Sequence, residues 1–177
     1  IEDLGGRALA VQGDWAIREE ALEVAAVSLA WTGSLEILVN SASNFPRVEI
    51  KDIGPADWDS ALDTNLLGPF WLAQRIGPDM QRKGRGKIVN IADVSWQAPW
   101  PSRLPYCVSK AGLVSLTIGL AKAFAPQVQV NAIGPGPTLA APGMSQARFE
   151  ELWRGTPLQR GATPEEIGNA LRFIIES

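Results

Sequence analysis

The only tyrosine in the chain, Tyr106, is followed four residues later by Lys110. Residues four apart on a helix share a face, so both side chains can point toward one cleft. A free tyrosine ionises at about pH 10 and is a poor acid–base catalyst at neutral pH, whereas a neighbouring ammonium group lowers the pKa of a phenol. The pair therefore predicts a proton donor tuned by a lysine. The alternative is an ordinary packing pair on a helix, because this spacing is common on its own.

Composition leaves few other groups for such chemistry. The 177 residues include no histidine and one cysteine, Cys107, which excludes an internal disulfide and nearly every zinc or copper site. We interpret Cys107 as a small buried residue and expect no metal site. The formal charge is −3, with no basic stripe and no membrane-spanning apolar run. We therefore expect a cytoplasmic globular protein with a small-molecule substrate and no nucleic-acid or membrane partner.

Strand and helix patterns alternate along the chain. This alternation predicts an α/β fold, a Rossmann-like doubly wound parallel sheet, in a single dinucleotide-binding domain over residues 1–177. Ligands of such sheets bind beyond the carboxyl ends of the strands, so the residues that follow the strands should gather along one edge. The predicted strands are 7–15, 35–40, 86–93 and 128–136. The predicted helices are 16–31, 58–83, which Gly68-Pro69 and Gly77-Pro78 should bend or interrupt, 103–124, and one beginning at Thr163-Pro164.

Five segments, "LVNSAS", "NLLGPFWLAQ", "GKIVNIAD", "YCVSK" and "VNAIGPGPT", resemble the short-chain dehydrogenase/reductase family in order and spacing. The resemblance implies that Tyr106 protonates the substrate, that Lys110 lowers the pKa of the tyrosine and holds the nicotinamide ribose, and that Asn65 anchors a proton-relay water. It also implies a nicotinamide cofactor, NADP(H) ahead of NAD(H). The cofactor contacts that it implies are Asp14 at the adenine, Asn40, Ser41, Ala42 and Ser43 at the adenine ribose, and Pro135 and Gly136 at the nicotinamide.

Two departures from the family pattern are similar to its pteridine reductase branch. Asp93 stands 13 positions before the tyrosine, where most members have a catalytic serine, and an aromatic residue, Phe45, follows the Asn-Ser-Ala-Ser-Asn turn. The resemblance implies that Phe45 stacks on a flat pterin and that Asp93 joins Tyr106 in proton delivery. The expected activity is NADP(H)-dependent reduction of a pteridine C=N bond, with a ketone or 3-oxoacyl substrate as the alternative. Other interpretations are that Phe45 anchors a loop, that Asp14 ends a strand or caps a helix, and that Asp93 marks a lost catalytic position.

The glycine-rich turn that cradles the cofactor pyrophosphate in this family has no counterpart in the sequence, because the early pair Gly5-Gly6 precedes the wrong strand. We therefore expect that loop to precede Ile1, so that the sheet is incomplete at its N-terminus, and we expect the family pattern to continue past Ser177. The alternative is a non-catalytic fold relative without the phosphate-binding loop. The resemblance also implies a homotetramer or homodimer formed through the long helices, in which residues 61–76 supply an apolar surface.

Overall fold

A computed structural model describes residues 1–141 and 143–177. Its regular elements are three strands, six α-helices and a single π-helical turn at Asp63–Leu67. Short 3-10 turns lie at Glu2–Leu4, Ile50–Asp52, Val94–Trp96 and Pro101–Arg103. The strands are β1 (Ile37–Asn40), β2 (Gly86–Ile91) and β3 (Val128–Ile133), and the helices are α1 (Arg18–Thr32), α2 (Pro55–Leu62), α3 (Gly68–Arg82), α4 (Leu104–Phe124), α5 (Gln146–Arg154) and α6 (Pro164–Glu176).

The three strands form one parallel sheet in the order β1-β2-β3. Asn40 of β1 lies beside Asn90 of β2, and Ile91 of β2 lies beside Ile133 of β3, so all three strands end at the same edge. Helices cover the sheet, and α1, α3 and α4 share one apolar core with β2 and β3. This arrangement confirms the predicted α/β, Rossmann-like fold class.

The predicted strand at 7–15 is wrong. Residues 6–14 have no regular secondary structure, and residues 7–10 are all exposed. A strand is stable only when its backbone N–H and C=O groups pair with a neighbour. Among the described residues no strand pairs with this segment, and β1, an edge strand of the sheet, pairs only with β2. The apolar pattern is present here, but the hydrogen-bonding partner that would make it a strand is not.

The long helix predicted after β1 is divided rather than continuous. The π-helical turn separates α2 from α3, and α3 continues through Pro78 without ending. Two glycines permit close packing here, because a Cβ at Gly68 would lie 2.9 Å from the Trp15 Cβ and one at Gly77 would lie 2.4 Å from the Phe124 ring. The predicted helix is thus interrupted at Gly68-Pro69, where α3 begins, but not at Gly77-Pro78, which lies inside α3.

Three polar side chains are joined by hydrogen bonds near the carboxyl ends of β1 and β2. The Asn40 amide donates to Asn90 Oδ1 at 2.8 Å, and the Asn90 amide donates to Thr117 Oγ1 of α4 at 2.9 Å. All three residues are buried. This chain of hydrogen bonds, which we call the asparagine ladder, joins β1, β2 and α4.

The segment Pro101–Phe124, which includes all of α4, meets the length and hydropathy criteria for a membrane span. Core helices of water-soluble proteins meet the same criteria, so the observation is weak evidence for a membrane. Here α4 packs against β3 and contributes Leu120 and Phe124 to the core.

Candidate active site

Tyr106 and Asp93 form the centre of the site. Tyr106 lies in the first turn of α4 and is buried, and its hydroxyl donates to Asp93 Oδ2 at 2.8 Å. Asp93 follows β2, and its other carboxylate oxygen accepts the backbone N–H of Ser95 at 2.7 Å. Backbone hydrogen bonds from Ala92 to Ile133 and from Val94 to Pro135 fix this loop to the one that follows β3. The carboxylate is therefore held on both sides and directed at the tyrosine hydroxyl.

The electrostatics of Tyr106 differ from those that the resemblance implies. Burial raises the pKa of Tyr106, and the adjacent Asp93 carboxylate raises it further by Coulombic repulsion of the phenolate and by accepting the hydroxyl proton. The cation that opposes this shift is Arg103. The lowered tyrosine pKa that the resemblance implies is thus not found here, because burial and then the Asp93 carboxylate both raise it. The role of Lys110 in setting that pKa stays a prediction.

Lys110 is almost fully buried at the base of the site. Its Nζ donates to the backbone oxygen of Ile91 at 2.7 Å and lies 5.8 Å from the centre of the Tyr106 ring. Burial lowers the pKa of Lys110 to about 8, with the Asp93 charge acting in the opposite direction. An ammonium group has three N–H donors, so two remain beyond the bond to Ile91.

Asn65 occupies the π-helical turn and is completely buried. Its amide donates to Ser109 Oγ and to Asn44 Oδ1, both at 3.0 Å, and its oxygen accepts from Ser43 Oγ and from the Asn44 backbone N–H, also at 3.0 Å. An amide side chain has two donors and an oxygen that accepts twice, so this one is saturated. The predicted proton-relay water has no free group on this side chain, and Asn65 instead joins the 43–44 turn to α4.

Phe45 lies over Tyr106. The two ring centres are 4.5 Å apart in an edge-to-face arrangement, and the centre of the Trp100 ring lies 6.0 Å from that of Phe45. The Arg103 guanidinium stacks 3.6 Å from the Phe45 ring centre and donates to the Phe45 backbone oxygen. Phe45 thus anchors its loop, which is the alternative interpretation, and its ring lies beside Tyr106. Its stacking on a pterin stays a prediction.

Comparison with known proteins identifies the family. The sequence model described as enoyl-(acyl carrier protein) reductase matches residues 1–177. An uncharacterised oxidoreductase of Thermotoga maritima is 32% identical over 98% of this chain and 72% of its own, and a 3-oxoacyl-[acyl-carrier-protein] reductase of Synechocystis is 30% identical over 96% of this chain and 69% of its own. The chain belongs to the short-chain dehydrogenase/reductase family.

Solved structures of other short-chain dehydrogenases/reductases agree with this assignment. FolM alternative dihydrofolate reductase 1 from Brucella canis, in complex with NADP, superposes with a TM-score of 0.90 at 32% identity, covering 99% of this chain and 70% of that one. A putative short-chain alcohol dehydrogenase from Sinorhizobium meliloti gives a TM-score of 0.88 at 31% identity, with 98% and 71% of the two chains covered. Tyr106, Lys110 and Asp93 therefore lie in an oxidoreductase fold.

Members of this family use NAD(P), and the nicotinamide half of such a cofactor fits the residues at the strand ends. Lys110 has two N–H donors for ribose hydroxyl groups, close to Tyr106. Pro135 and Gly136 follow β3 beside the Asp93 loop, and a Cβ added at Gly136 would meet open space. These residues leave room for a ring at the carboxyl edge of the sheet.

The residues that the resemblance places at the adenosine half of the cofactor offer fewer free groups. Asn40, Ser41 and Ala42 line a largely apolar cavity of about 300 Å³ that also contacts Trp15, and the buried Asn40 Oδ1 has no hydrogen-bond partner among the described residues. Ser43 instead bonds to Asn65. Asp14 is exposed, and it accepts the Ala16 N–H at 2.9 Å while its own N–H donates to Glu20, so it shapes the turn before α1. No helix in the described part of the chain begins at a glycine-rich turn.

Three residues of the site were not predicted from the sequence. Arg103 lies three positions before the tyrosine, Asn44 holds the turn before Phe45, and Ser109 connects Asn65 to α4. Ser109 lies three residues after Tyr106 on the same helix, so its position was available from helical spacing. Arg103 and Asn44 act through contacts between distant segments, which local patterns do not show. Cys107 is buried, as predicted, with its sulfur 3.4 Å from the Trp100 backbone nitrogen.

Proposed function

We propose that this protein is an NADP(H)-dependent reductase that acts on the C=N bond of a pteridine. The observation that carries the proposal is the hydrogen bond between Tyr106 and Asp93, which places a carboxyl group where most family members have a serine hydroxyl. A carboxyl group can exchange protons with ring nitrogens, whereas a hydroxyl suits a ketone oxygen. The likeness to FolM, whose structure contains NADP, supports both the substrate class and the choice of cofactor.

Phe45 supports a flat substrate. One face of its ring is covered by the Arg103 guanidinium, and about 40% of the residue remains exposed beside Tyr106. Stacking between aromatic rings contributes about 0.5 to 1.5 kcal/mol beyond the burial of area. A planar heterocycle on the uncovered face would bring its ring atoms next to the tyrosine hydroxyl.

The proposed reaction needs a hydride on carbon and a proton on nitrogen. Bound NADPH supplies the hydride. The proton leaves the Tyr106 hydroxyl for the ring nitrogen, and a proton from solvent, passed on by the Asp93 carboxyl group, restores the phenol. Because burial and Asp93 both raise the pKa of Tyr106, the phenol stays protonated at neutral pH and its phenolate takes up a proton readily. Tyr106 and Asp93 therefore act as one proton-donating pair.

Reduction of a ketone is the second candidate. A 3-oxoacyl-[acyl-carrier-protein] reductase and a putative ketoacyl reductase of a granaticin polyketide synthase are among the relatives, at 30% and 28% identity. Tyr106 and Lys110 are compatible with a carbonyl substrate, but a carboxylate directed at the tyrosine would repel an alkoxide that forms there. This repulsion is the reason for ranking the pteridine first.

The test measures the rate at which the protein oxidises NADPH or NADH. The substrate is either dihydrobiopterin or the N-acetylcysteamine thioester of acetoacetate. We expect turnover with NADPH and the pterin, and Tyr106→Phe should lower kcat by about 100- to 10,000-fold. The affinity for NADPH, followed by quenching of tryptophan fluorescence, should change little. Ser115→Ala, on the exposed side of the same helix, is the matched control. Turnover of the thioester but not of the pterin would select the ketone instead, and full activity of Tyr106→Phe would remove the proposed proton donor.

We also propose a homodimer or homotetramer formed through the long helices. Val108 and Ile118 leave 43% and 55% of their surfaces exposed on α4, and Leu67 is exposed at the π-helical turn. Val108 and Ile118 lie about 80° apart around α4, which is within the width of one apolar face of a helix. Light scattering should give a multiple of the chain mass, and Ile118→Glu should lower that mass. A monomeric parent protein would rule the proposal out.

A further inference from the structure

Arg103 is the one residue at the mouth of the site whose position the proposed chemistry does not explain. It directly precedes α4, and its guanidinium is fixed by the Phe45 ring and by a hydrogen bond to the Phe45 backbone oxygen. A hydrogen bond from Val48 N–H to the Ser102 oxygen, 2.9 Å long, holds the same two loops together. The cation is therefore held rigidly, one aromatic ring away from Tyr106.

The charge of Arg103 has no counter-ion in the described part of the chain. Within residues 1–141 and 143–177, no carboxylate oxygen comes within ion-pair distance of its guanidinium, and the nearest charged neighbour to act on it is another cation, Arg47. Arg47 is itself paired with Glu49 at 3.2 Å. Burial lowers the pKa of Arg103 and repulsion from Arg47 adds to the shift. An unpaired, half-buried cation is costly, and a bound anion would offset that cost.

The guanidinium also retains unused donors. Arginine carries five N–H groups, and among the described residues only Nη1 of Arg103 has a hydrogen-bond acceptor. The planar arrangement of such donors matches the two oxygens of a carboxylate or phosphate group. The stack on Phe45 orients these donors before a ligand arrives.

We propose that Arg103 is a specificity-determining residue that binds an oxyanion, a carboxylate or a phosphate, on a substrate whose reducible bond lies at Tyr106. The inference rests on the proposed function for the position of the reducible bond, and it adds that the preferred substrate has an anionic tail. The tail would lie on the Arg103 side of Phe45, away from the core of the sheet.

The experiment compares substrates that differ in the tail. Dihydrofolate and dihydrobiopterin share the pteridine, and only the first carries carboxylates; acetoacetyl-phosphopantetheine and the N-acetylcysteamine thioester share the ketone, and only the first carries a phosphate. For each pair the readout is the ratio of kcat/KM, anionic over neutral. Damage to the Phe45 contact affects both members of a pair, whereas loss of the charge affects only the anionic one.

The parent protein should prefer the anionic member of at least one pair. Arg103→Met should lower that ratio by about 10- to 100-fold, Arg103→Lys should lower it less because the charge remains, and Arg47→Gln should leave it near the parent value. If the ratio changes for the pteridine pair, the bound group is a carboxylate, and if it changes for the ketone pair, the bound group is a phosphate. A parent protein without the preference, or an Arg103→Met variant that keeps it, would overturn the proposal.

A separate measurement distinguishes failure of this inference from failure of the proposed function. The affinities for folate and biopterin, and for phosphopantetheine and pantetheine, are followed by quenching of tryptophan fluorescence, with Trp100 only 6.0 Å from Phe45. If none of the substrates is turned over, the proposed function fails. Tighter binding of folate or of phosphopantetheine that is lost in Arg103→Met still supports the anion site, and equal binding within both pairs contradicts it.

Discussion

The Tyr106 hydroxyl donates a 2.8 Å hydrogen bond to a carboxylate oxygen of Asp93, and a backbone N–H from Ser95 fixes the other oxygen. The pair joins the first turn of α4 to the loop after β2. The hydroxyl proton of Tyr106 therefore lies against a charged partner, and the ionisation of the tyrosine depends on that charge.

Replacing Asp93 should change the substrate class. In Asp93→Ser we expect dihydropterin turnover to fall by at least about 100-fold, because the carboxyl group that reprotonates Tyr106 is gone. Reduction of the acetoacetyl thioester should rise, since the negative charge that opposes an alkoxide is also gone. Steady-state kinetics on both substrates measure the two effects. Unchanged activity on both would mean that Asp93 takes no part in the reaction.

Ionisation of Tyr106 can be followed directly, because it is the only tyrosine in the chain. Burial and then Asp93 raise its pKa, so phenolate absorbance should appear only well above the pH at which a free tyrosine titrates. In Asp93→Asn the repulsion is removed, and the absorbance change should move to lower pH. Asp59→Asn, on α2, controls for a general change of charge. A titration that is the same in the parent and in Asp93→Asn would contradict the coupling.

Lys110 should make stability depend on pH. Its folded pKa of about 8 lies below the ordinary lysine value of 10.5, so between these values the unfolded chain binds more protons than the folded one. The burial penalty on the charged lysine is therefore complete below pH 8 and is relieved as the pH rises toward 10. Relative to Lys110→Met, the parent protein should gain about 3 kcal/mol of unfolding free energy across that range.

Urea denaturation at a series of pH values measures this difference. Comparison with the variant cancels the titration of Tyr106, which both proteins retain. Lys122→Met, exposed near the end of the same helix, should show no such pH dependence. A gap between the parent and Lys110→Met that stays constant with pH would show that Lys110 is not buried in its charged form.

Asn65 should contribute to stability as well as to the shape of the site. Asn65→Ala removes the bonds to Ser43, Asn44 and Ser109 and leaves buried polar groups without partners, at a cost of about 2 to 3 kcal/mol. Asn131→Ala, at an exposed position of β3, should cost much less. Urea midpoints give the comparison. A loss no larger than that of Asn131→Ala would mean that the network is dispensable.

Local patterns in the sequence predicted most elements that position the site. These elements depend on residues that are close together in the chain. They are the three strands, the long helix with Tyr106 and Lys110, and the helix that starts at Thr163 with a capping box to Glu166. The expected meeting of strand ends follows from parallel pairing, and the structure shows it. Burial of Lys110 and the direction of the tyrosine pKa depend on packing, which no local pattern contains.

The features that could not be predicted are those made between distant segments. Residues 7–15 have the apolar pattern of a strand. A strand also needs a neighbouring strand for its backbone hydrogen bonds, and the local sequence does not show which segment that would be. The contact of Arg103 with Phe45 spans 58 positions, and the bonds of Asn65 span 21 to 44. Such contacts depend on how whole elements are placed, so the mouth of the site was less predictable than its base.

The asparagine ladder has a consequence for how the sheet assembles during folding. In parallel sheets, apolar strands are buried on both faces, so a shift by one residue keeps most of the hydrophobic contact even though it turns every side chain to the opposite face. Here such a shift would bury the amides of Asn40 and Asn90 without partners and would separate Asn90 from Thr117. A sheet with shifted strands therefore has a higher free energy than it would have if these positions were apolar. The correct alignment is also the one that brings the ends of β1 and β2 level, so selection against misfolded states and construction of the site depend on the same three side chains.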